Sequence, residues 1–206
     1  MTEALIGPNA IIQVADAIRR EFGLDRLVQI MHAARLAHFV ATPPAQMVNE
    51  VDVVRLHQAV ASSLPEEAGR AVMWQAGENT AAYLLANRIP ALAQTALRLL
   101  PASVSARLLL RAIGRHAWTF AGSSTFGYST HPATVQISLA GSPLFATPAC
   151  RVLAEAYFMA TFETLLRELV SSRTRAAPAN LQTAEAKAQD ASGTQAACVF
   201  ELDWAG

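Results

Sequence analysis

The chain has 206 residues, 52% of them apolar and 16% charged, with acidic and basic groups in equal number. Zero net charge argues against a nucleic-acid binder, which carries a strong positive excess with interleaved aromatics. No apolar run reaches the ~20 residues of a membrane span. Two cysteines, Cys150 and Cys198, are too few for a disulfide scaffold or a four-cysteine iron–sulfur cluster. The length fits one domain, 1–206, with a sizeable core. The opening MTEALIGPNAIIQ lacks the basic start and apolar run of a signal peptide, so a cytoplasmic protein is expected.

In chain order, Gly7-Pro8-Asn9 reads as a helix start with Asn9 as cap. Ile11, Val14, Ile18 and Phe22 then share one face, and Gly23 stops the helix. A second helix is predicted over 25–38, with Leu27, Met31 and Ala34 inward, ended by Thr42-Pro43-Pro44. Asn49 and Asp52 cap a third, carrying Val53, Leu56 and Val60 and stopping before Pro65. Glu66 and Glu67 suit the first turn of a fourth, where carboxylates meet the positive end of the dipole. Gly77-Glu78-Asn79-Thr80 is expected to interrupt it, and Pro90 to kink or split the helical pattern resumed after 80. Pro101 closes that element, and a further helix runs over 102–114 with Val104, Leu108 and Leu109.

Residues 116–150, between Arg115 and Arg151, contain no charged group other than histidine. Residues 117–121 and 135–139 are strand-like, with turns between them. In the second, Val135, Ile137 and Leu139 alternate with Gln136 and Ser138, the period of a strand with one dry face. Thr147-Pro148 opens a long helix to about 172, with Val152, Tyr157, Phe158, Phe162, Leu165, Leu166 and Leu169 on a broad apolar side. Residues 173–180 read as a polar linker. CVFELDW at the end alternates as a strand, and residues 181–189 are its expected hairpin partner, turning over 190–193. The layout is α+β: a helical N-terminal half, 1–76, then a small antiparallel sheet packed against helices, among them the long C-terminal one.

The charge is unevenly spread. No acidic residue occurs over 79–154, where Arg88, Arg98, Arg107, Arg111, Arg115 and Arg151 all fall. Arg107, Arg111 and Arg115, at i, i+4 and i+8, form one helix stripe. At a pocket mouth such guanidiniums suit a carboxylate ligand through forked hydrogen bonds; a solvated helix face reads the same. Five histidines, His32, His38, His57, His116 and His131, are possible metal ligands, and His116 and His131 lie in the charge-free stretch. Tyr83, Trp118, Phe120, Phe126 and Tyr128 can stack on a flat ligand or simply pack in the core. No G-x-G-x-x-G follows a strand, and no P-loop or G-x-S-x-G elbow is present.

GENTAAYLLANRIP, the run into HAWTFAGSSTF, the SPL before the helix at Cys150 and the closing CVFELDW together resemble the bacteriochlorophyll 4-vinyl reductase family. The resemblance covers nearly the whole chain. Residues 77–206 resemble the 4-vinyl reductase domain, a small-molecule-binding module similar in fold to TRAPP vesicle-tethering subunits and to the sensors of aromatic-responsive transcription activators. It implies a vinyl-bearing magnesium tetrapyrrole as ligand, of the divinyl protochlorophyllide or chlorophyllide type. Its 8-vinyl (4-vinyl) group would be reduced, or the pigment delivered, with no covalently bound cofactor. Arg107, Arg111, Arg115, His116, Trp118, Phe120, Tyr83 and His131 are then the expected ligand contacts. Other enzymes of bacteriochlorophyll synthesis and a second copy of the chain are the expected partners, with a location peripheral to the photosynthetic membrane. An alternative is the reductase itself, using an external electron donor; another is a non-catalytic homodimeric interaction module. Wider-family members hold zinc at positions matching Cys150, Glu185 and Cys198, but Ala188 stands where a further cysteine is needed, so zinc is not favoured.

Overall fold

The computed structural model describes residues 4–179 and 197–204. Strand β1 (Leu5–Ile6) pairs antiparallel with β2 (Val48–Asn49) and ties the start of the chain to the helix after β2. Between them, α1 (Asn9–Ala33) is two helical segments broken at Gly23, whose φ of 83° is open to glycine and costly for residues with a Cβ. The stop expected at Gly23 is therefore real. The cap is not: Asn9 is already helical, Pro8 takes the cap position, and no side chain closes that end. The second segment ends at Ala33 rather than 38, because Arg35 turns left-handed at φ 61°. A separate short helix, α2 (His38–Ala41), comes next. Phe22 also departs from its expected inward face; beside the Gly23 break it is 38% exposed.

Helix α3 (Glu50–Ser63) starts as expected, with the Asn49 side chain accepting a hydrogen bond from the Val51 N–H at 2.9 Å. Val53, Leu56 and Val60 are buried. The next helix differs from the expectation. α4 (Glu66–Asn87) runs unbroken through 77–80. A Cβ on Gly77 would stand 2.3 Å from the Tyr157 carbonyl oxygen and 2.8 Å from the Ala160 Cβ. Glycine here lets two helix backbones touch; it does not end a helix. The partner is α7 (Pro148–Leu169), opened by Pro148 and by Thr147, whose hydroxyl accepts from the Cys150 N–H at 3.3 Å. Across this seam the Thr80 and Tyr157 hydroxyls are hydrogen-bonded at 2.8 Å, and Thr161 donates to the Gly77 carbonyl at 3.2 Å. Burial pushes the Tyr157 phenol up to about 12, while the Thr80 hydrogen bond partly opposes that rise.

Pro90 and Pro101 split off α5 (Ala91–Leu99) and α6 (Ala102–Arg115) as expected. The charge-free segment then folds differently in its first part. Ala117–Thr119 is a single 3-10 turn, not a strand. The strand lies later, β3 (Thr125–Thr130), and none of its residues is fully buried, so it lacks the burial alternation that would mark it in sequence. β4 (Thr134–Ala140) is the strand foreseen, with Val135, Ile137 and Leu139 all inaccessible. The stretch read as a linker contains β5 (Arg175–Pro178), and β6 (Ala197–Asp203) is the closing strand. The hairpin partner and turn predicted over 181–193 lie outside the described residues.

These four strands form one antiparallel sheet in the order β3-β4-β6-β5. Its inner face presents Val135, Ile137, Leu139, Cys198, Phe200 and Leu202, all buried, and α7 packs against the sheet. Edge strand β5 is held to α7 as well: the Ala176 N–H donates to the Glu163 carboxylate at 2.8 Å. The result is the expected α+β layout, a small antiparallel sheet closed by a long C-terminal helix.

Candidate functional site

The space between sheet and α7 is filled by aromatic rings. Phe126 stacks on Phe162 with centroids 6.1 Å apart and planes 9° apart. Phe120 meets Phe126 edge-on at 5.5 Å and Phe162 at 6.2 Å, and Phe162 leans on Phe200 at 5.7 Å. Phe120 thus belongs to the interior. Edge and offset contacts of this kind add to the burial energy of each ring.

Around the rim of that cluster the structure assembles most of the residues singled out in the sequence. Helix α6 lays Arg107, Arg111 and Arg115 along its outer face, all exposed, and none has an ion-pair partner among the described residues. His116 caps its C-terminal end, exposed, and the adjoining 3-10 turn holds Trp118 out in solvent at 66% exposure. The last turn of α6 leans on β3. A Cβ on Gly114 would touch the Tyr128 ring at 3.6 Å and the Phe126 ring at 3.7 Å, and Tyr128 is 40% exposed. This edge is therefore where the end of α6 leans on β3, with Tyr128 open beside Phe126, and His116 and Trp118 follow α6 in the chain.

Two of the expected contacts fall elsewhere. Tyr83 is half-buried near the C-terminal end of α4. His131 is exposed in the β3–β4 hairpin, about 16 Å along the strand from Phe126. Two open clefts are also distinct from this edge. One, of about 310 Å³, lies between α1 and α3 at Arg35, Arg55 and Gln58. The other, of about 430 Å³, lies between α4 and α7 beside Arg70, Trp74, Glu155 and Met159. No candidate residue lines either of them.

Of the degenerate zinc positions, Cys150 and Cys198 are both buried free thiols, and Glu185 is outside the described residues. Burial drives the Cys198 thiol well above its usual range; the nearby Glu155 charge adds to this and Arg151 offsets part of it. A thiol so protonated is a poor nucleophile. Among the described residues no group of three or more His, Cys, Asp or Glu is placed to hold a metal ion.

Two buried polar groups on α3 stand apart from the α6–β3 edge: Glu50, which carried no sequence signal beyond its helical position, and His57, one of the five histidines named as possible metal ligands. Glu50, in the first turn of α3, accepts from the Ser142 hydroxyl at 2.6 Å and from the Ser123 N–H at 3.3 Å, pinning both ends of the β3–β4 hairpin region. His57, also on α3, is buried with its Nδ1 unpartnered, and burial lowers its pKa to about 4.

The fold defines an α+β class shared with solved proteins of very different sequence. An H-NOX protein carrying 4-cyano-L-phenylalanine superposes with a TM-score of 0.57 at 8% identity, over 98% of this chain and 97% of the other. The Fe(II) unliganded A71G mutant of the H-NOX protein from K. algicida gives 0.55 at 10% identity, over 96% of both chains. At such identities the likeness is one of fold. No protein-family model matches the chain.

Sequence comparison is more particular. The bacteriochlorophyll synthase 23 kDa chain of Cereibacter sphaeroides is 39% identical over 171 residues, 80% of this chain and 78% of its own length. The Rhodobacter capsulatus protein of the same name is 38% identical over 169 residues, 82% of this chain and 76% of its own. The chain belongs to the family of the bacteriochlorophyll synthase 23 kDa chain. The link to bacteriochlorophyll synthesis expected from the sequence rests on that membership. The relatives' name speaks of the synthase and not of vinyl reduction.

Proposed function

We propose that this protein is a pigment-handling component of bacteriochlorophyll synthesis. It receives a vinyl-bearing magnesium tetrapyrrole at the α6–β3 edge and presents it for 8-vinyl (4-vinyl) reduction or passes it on. One observation carries the reading: Trp118 stands two-thirds exposed on the turn that follows Arg115 and His116, and neither Arg111 nor Arg115 has an ion-pair partner among the described residues. A flat macrocycle lying on Trp118 and Tyr128 would remove both rings from water. Burying ~300 Å² of apolar surface contributes roughly 7 kcal/mol gross, much of it consumed by the cost of association. Polar anchors must therefore supply the rest.

In this reading each group has one task. Arg111 and Arg115 fork onto the propionate carboxylate and fix the ring's orientation. Trp118 and Tyr128 hold its face. His116, exposed at the end of α6, would be the imidazole available to the central magnesium. Reduction adds two electrons and two protons across the vinyl C=C, and these come from a separate reductase and its donor. The sequence supports that division, since it carries no nucleotide-binding fingerprint.

Mixing the purified chain with a carboxylated magnesium porphyrin tests the proposal. A shifted Soret band without any reductant is expected. Loss of the vinyl group with this chain and a nicotinamide donor alone would make it the reductase itself. An unmoved Soret band would refute pigment binding and leave the homodimeric interaction module in its place.

A further inference from the structure

Helix α5 is built with its polarity reversed, whereas α6 buries Ala106, Leu109 and Leu110 and still leaves apolar side chains open. In α5 no residue is buried; Leu92 is 87% exposed and Leu99 81%. Leu92, Ala96 and Leu99 recur at helical spacing, so they share one outward stripe. Leu100, Val104 and Leu108 continue the open apolar surface into α6, at 37%, 40% and 49% exposure. The half-buried side chains of α5 are Gln94 and Leu97, and polar contacts lie beneath the outward stripe. Gln94 donates to the Leu85 and Ile89 carbonyls at 2.6 and 2.8 Å. Ser105, fully buried, donates to the Leu97 carbonyl at 2.8 Å and the Leu169 carbonyl at 3.0 Å, tying α5, α6 and α7 together. The limb is anchored by these hydrogen bonds together with Leu97, Leu109 and Leu110, and it leaves Leu92, Leu99 and Leu108 for an outside surface.

The charges around the leucines identify that surface. Arg88, Arg98 and Arg107 flank them, and no acidic residue occurs on α5, α6 or the turn after them. From α7, Glu168 reaches the limb at 3.9 Å from Arg98. A second copy docking face to face would set guanidinium against guanidinium with no carboxylate of the limb to answer. A surface both apolar in depth and negative at its rim matches instead. We propose that the α5–α6 limb docks this protein on an anionic lipid bilayer. The leucines enter at the acyl boundary and the arginines lie among the phosphates, as an interfacial helix does. Neither helix is long enough to cross: among the described residues no helix is long and apolar enough to span a membrane. The inference stands independently of pigment binding.

Flotation with vesicles tests it, using phosphatidylcholine alone or mixed with phosphatidylglycerol. The wild-type chain is expected to float with the mixed vesicles, at least tenfold more tightly than with phosphatidylcholine, and to be released by high salt. Leu92→Ser with Leu99→Ser should weaken binding tenfold or more while the melting temperature and the Soret shift stay unchanged. Arg98→Gln with Arg107→Gln should remove the preference for phosphatidylglycerol. Failure of the wild type to float would overturn the proposal. So would unchanged vesicle binding by the leucine variant; if that variant turns a dimer into a monomer, the face belongs to a second copy.

Discussion

The α4–α7 seam and the α5–α6 limb use the same residue types in opposite ways. At the seam a glycine lets backbones touch, hydroxyls pair across the contact, and the aromatic rings beyond it leave each other little room. On the limb, Leu92 and Leu99 face water, while Gln94 and Ser105 join the buried Leu109 and Leu110 in anchoring it. Stability is concentrated in the first region, and surface for recognition in the second. The uncharged stretch suggests a slot for a flat ligand between its strands and the helices, but rings fill that space and neither open cleft reaches Trp118, so the proposed site is the edge where Trp118 and Tyr128 are open.

Substitutions sharpen this contrast. The largest loss is expected from Gly77→Ala, whose new methyl must push α4 away from α7; about 3 kcal/mol or more should vanish in denaturant unfolding. Acid should act next. His57 has a folded pKa of about 4 against 6.5 when exposed, so the unfolded chain takes up the proton first. Stability is therefore full above pH 6.5 and lost as pH falls towards 4, by as much as about 3 kcal/mol. His57→Leu should flatten that slope, read from urea midpoints across the window. Thr80→Val strands the Tyr157 hydroxyl and should cost about 2 kcal/mol. Leu92→Ser, on the limb, should change stability by no more than about 0.5 kcal/mol. A large loss there would erase the distinction between the two regions.

Sequence made legible those elements whose local chemistry and tertiary role agree. Asn49 caps α3, Pro90 and Pro101 divide helices, Thr147-Pro148 opens α7, and the alternation of β4 and β6 matches one dry face. It misled where a residue's purpose was set by a distant partner. Gly77 is a breaker by propensity and a contact point in fact, because Tyr157 and Ala160 lie against it. β3 is an edge strand with little burial, so no alternation of dry and wet positions announced it. β5 exists through its pairing with β6 and the Glu163 carboxylate, neither visible in Arg-Ala-Ala-Pro. For the site, the arginine stripe and Trp118 were legible as a cluster in order along α6 and its turn. The outward leucines of α5 were not, since amphipathic spacing defines a face without saying which side meets the core.

The proposed pigment recognition requires cationic side chains of α6 to grip a carboxylate near an open indole. Titrating wild type and an Arg111→Ala, Arg115→Ala double variant with a magnesium porphyrin acid and its methyl ester, by Soret absorbance, tests that most directly. A tenfold or greater loss of affinity is expected for the acid, with little change for the ester. Equal losses for both ligands, or none for either, would contradict it.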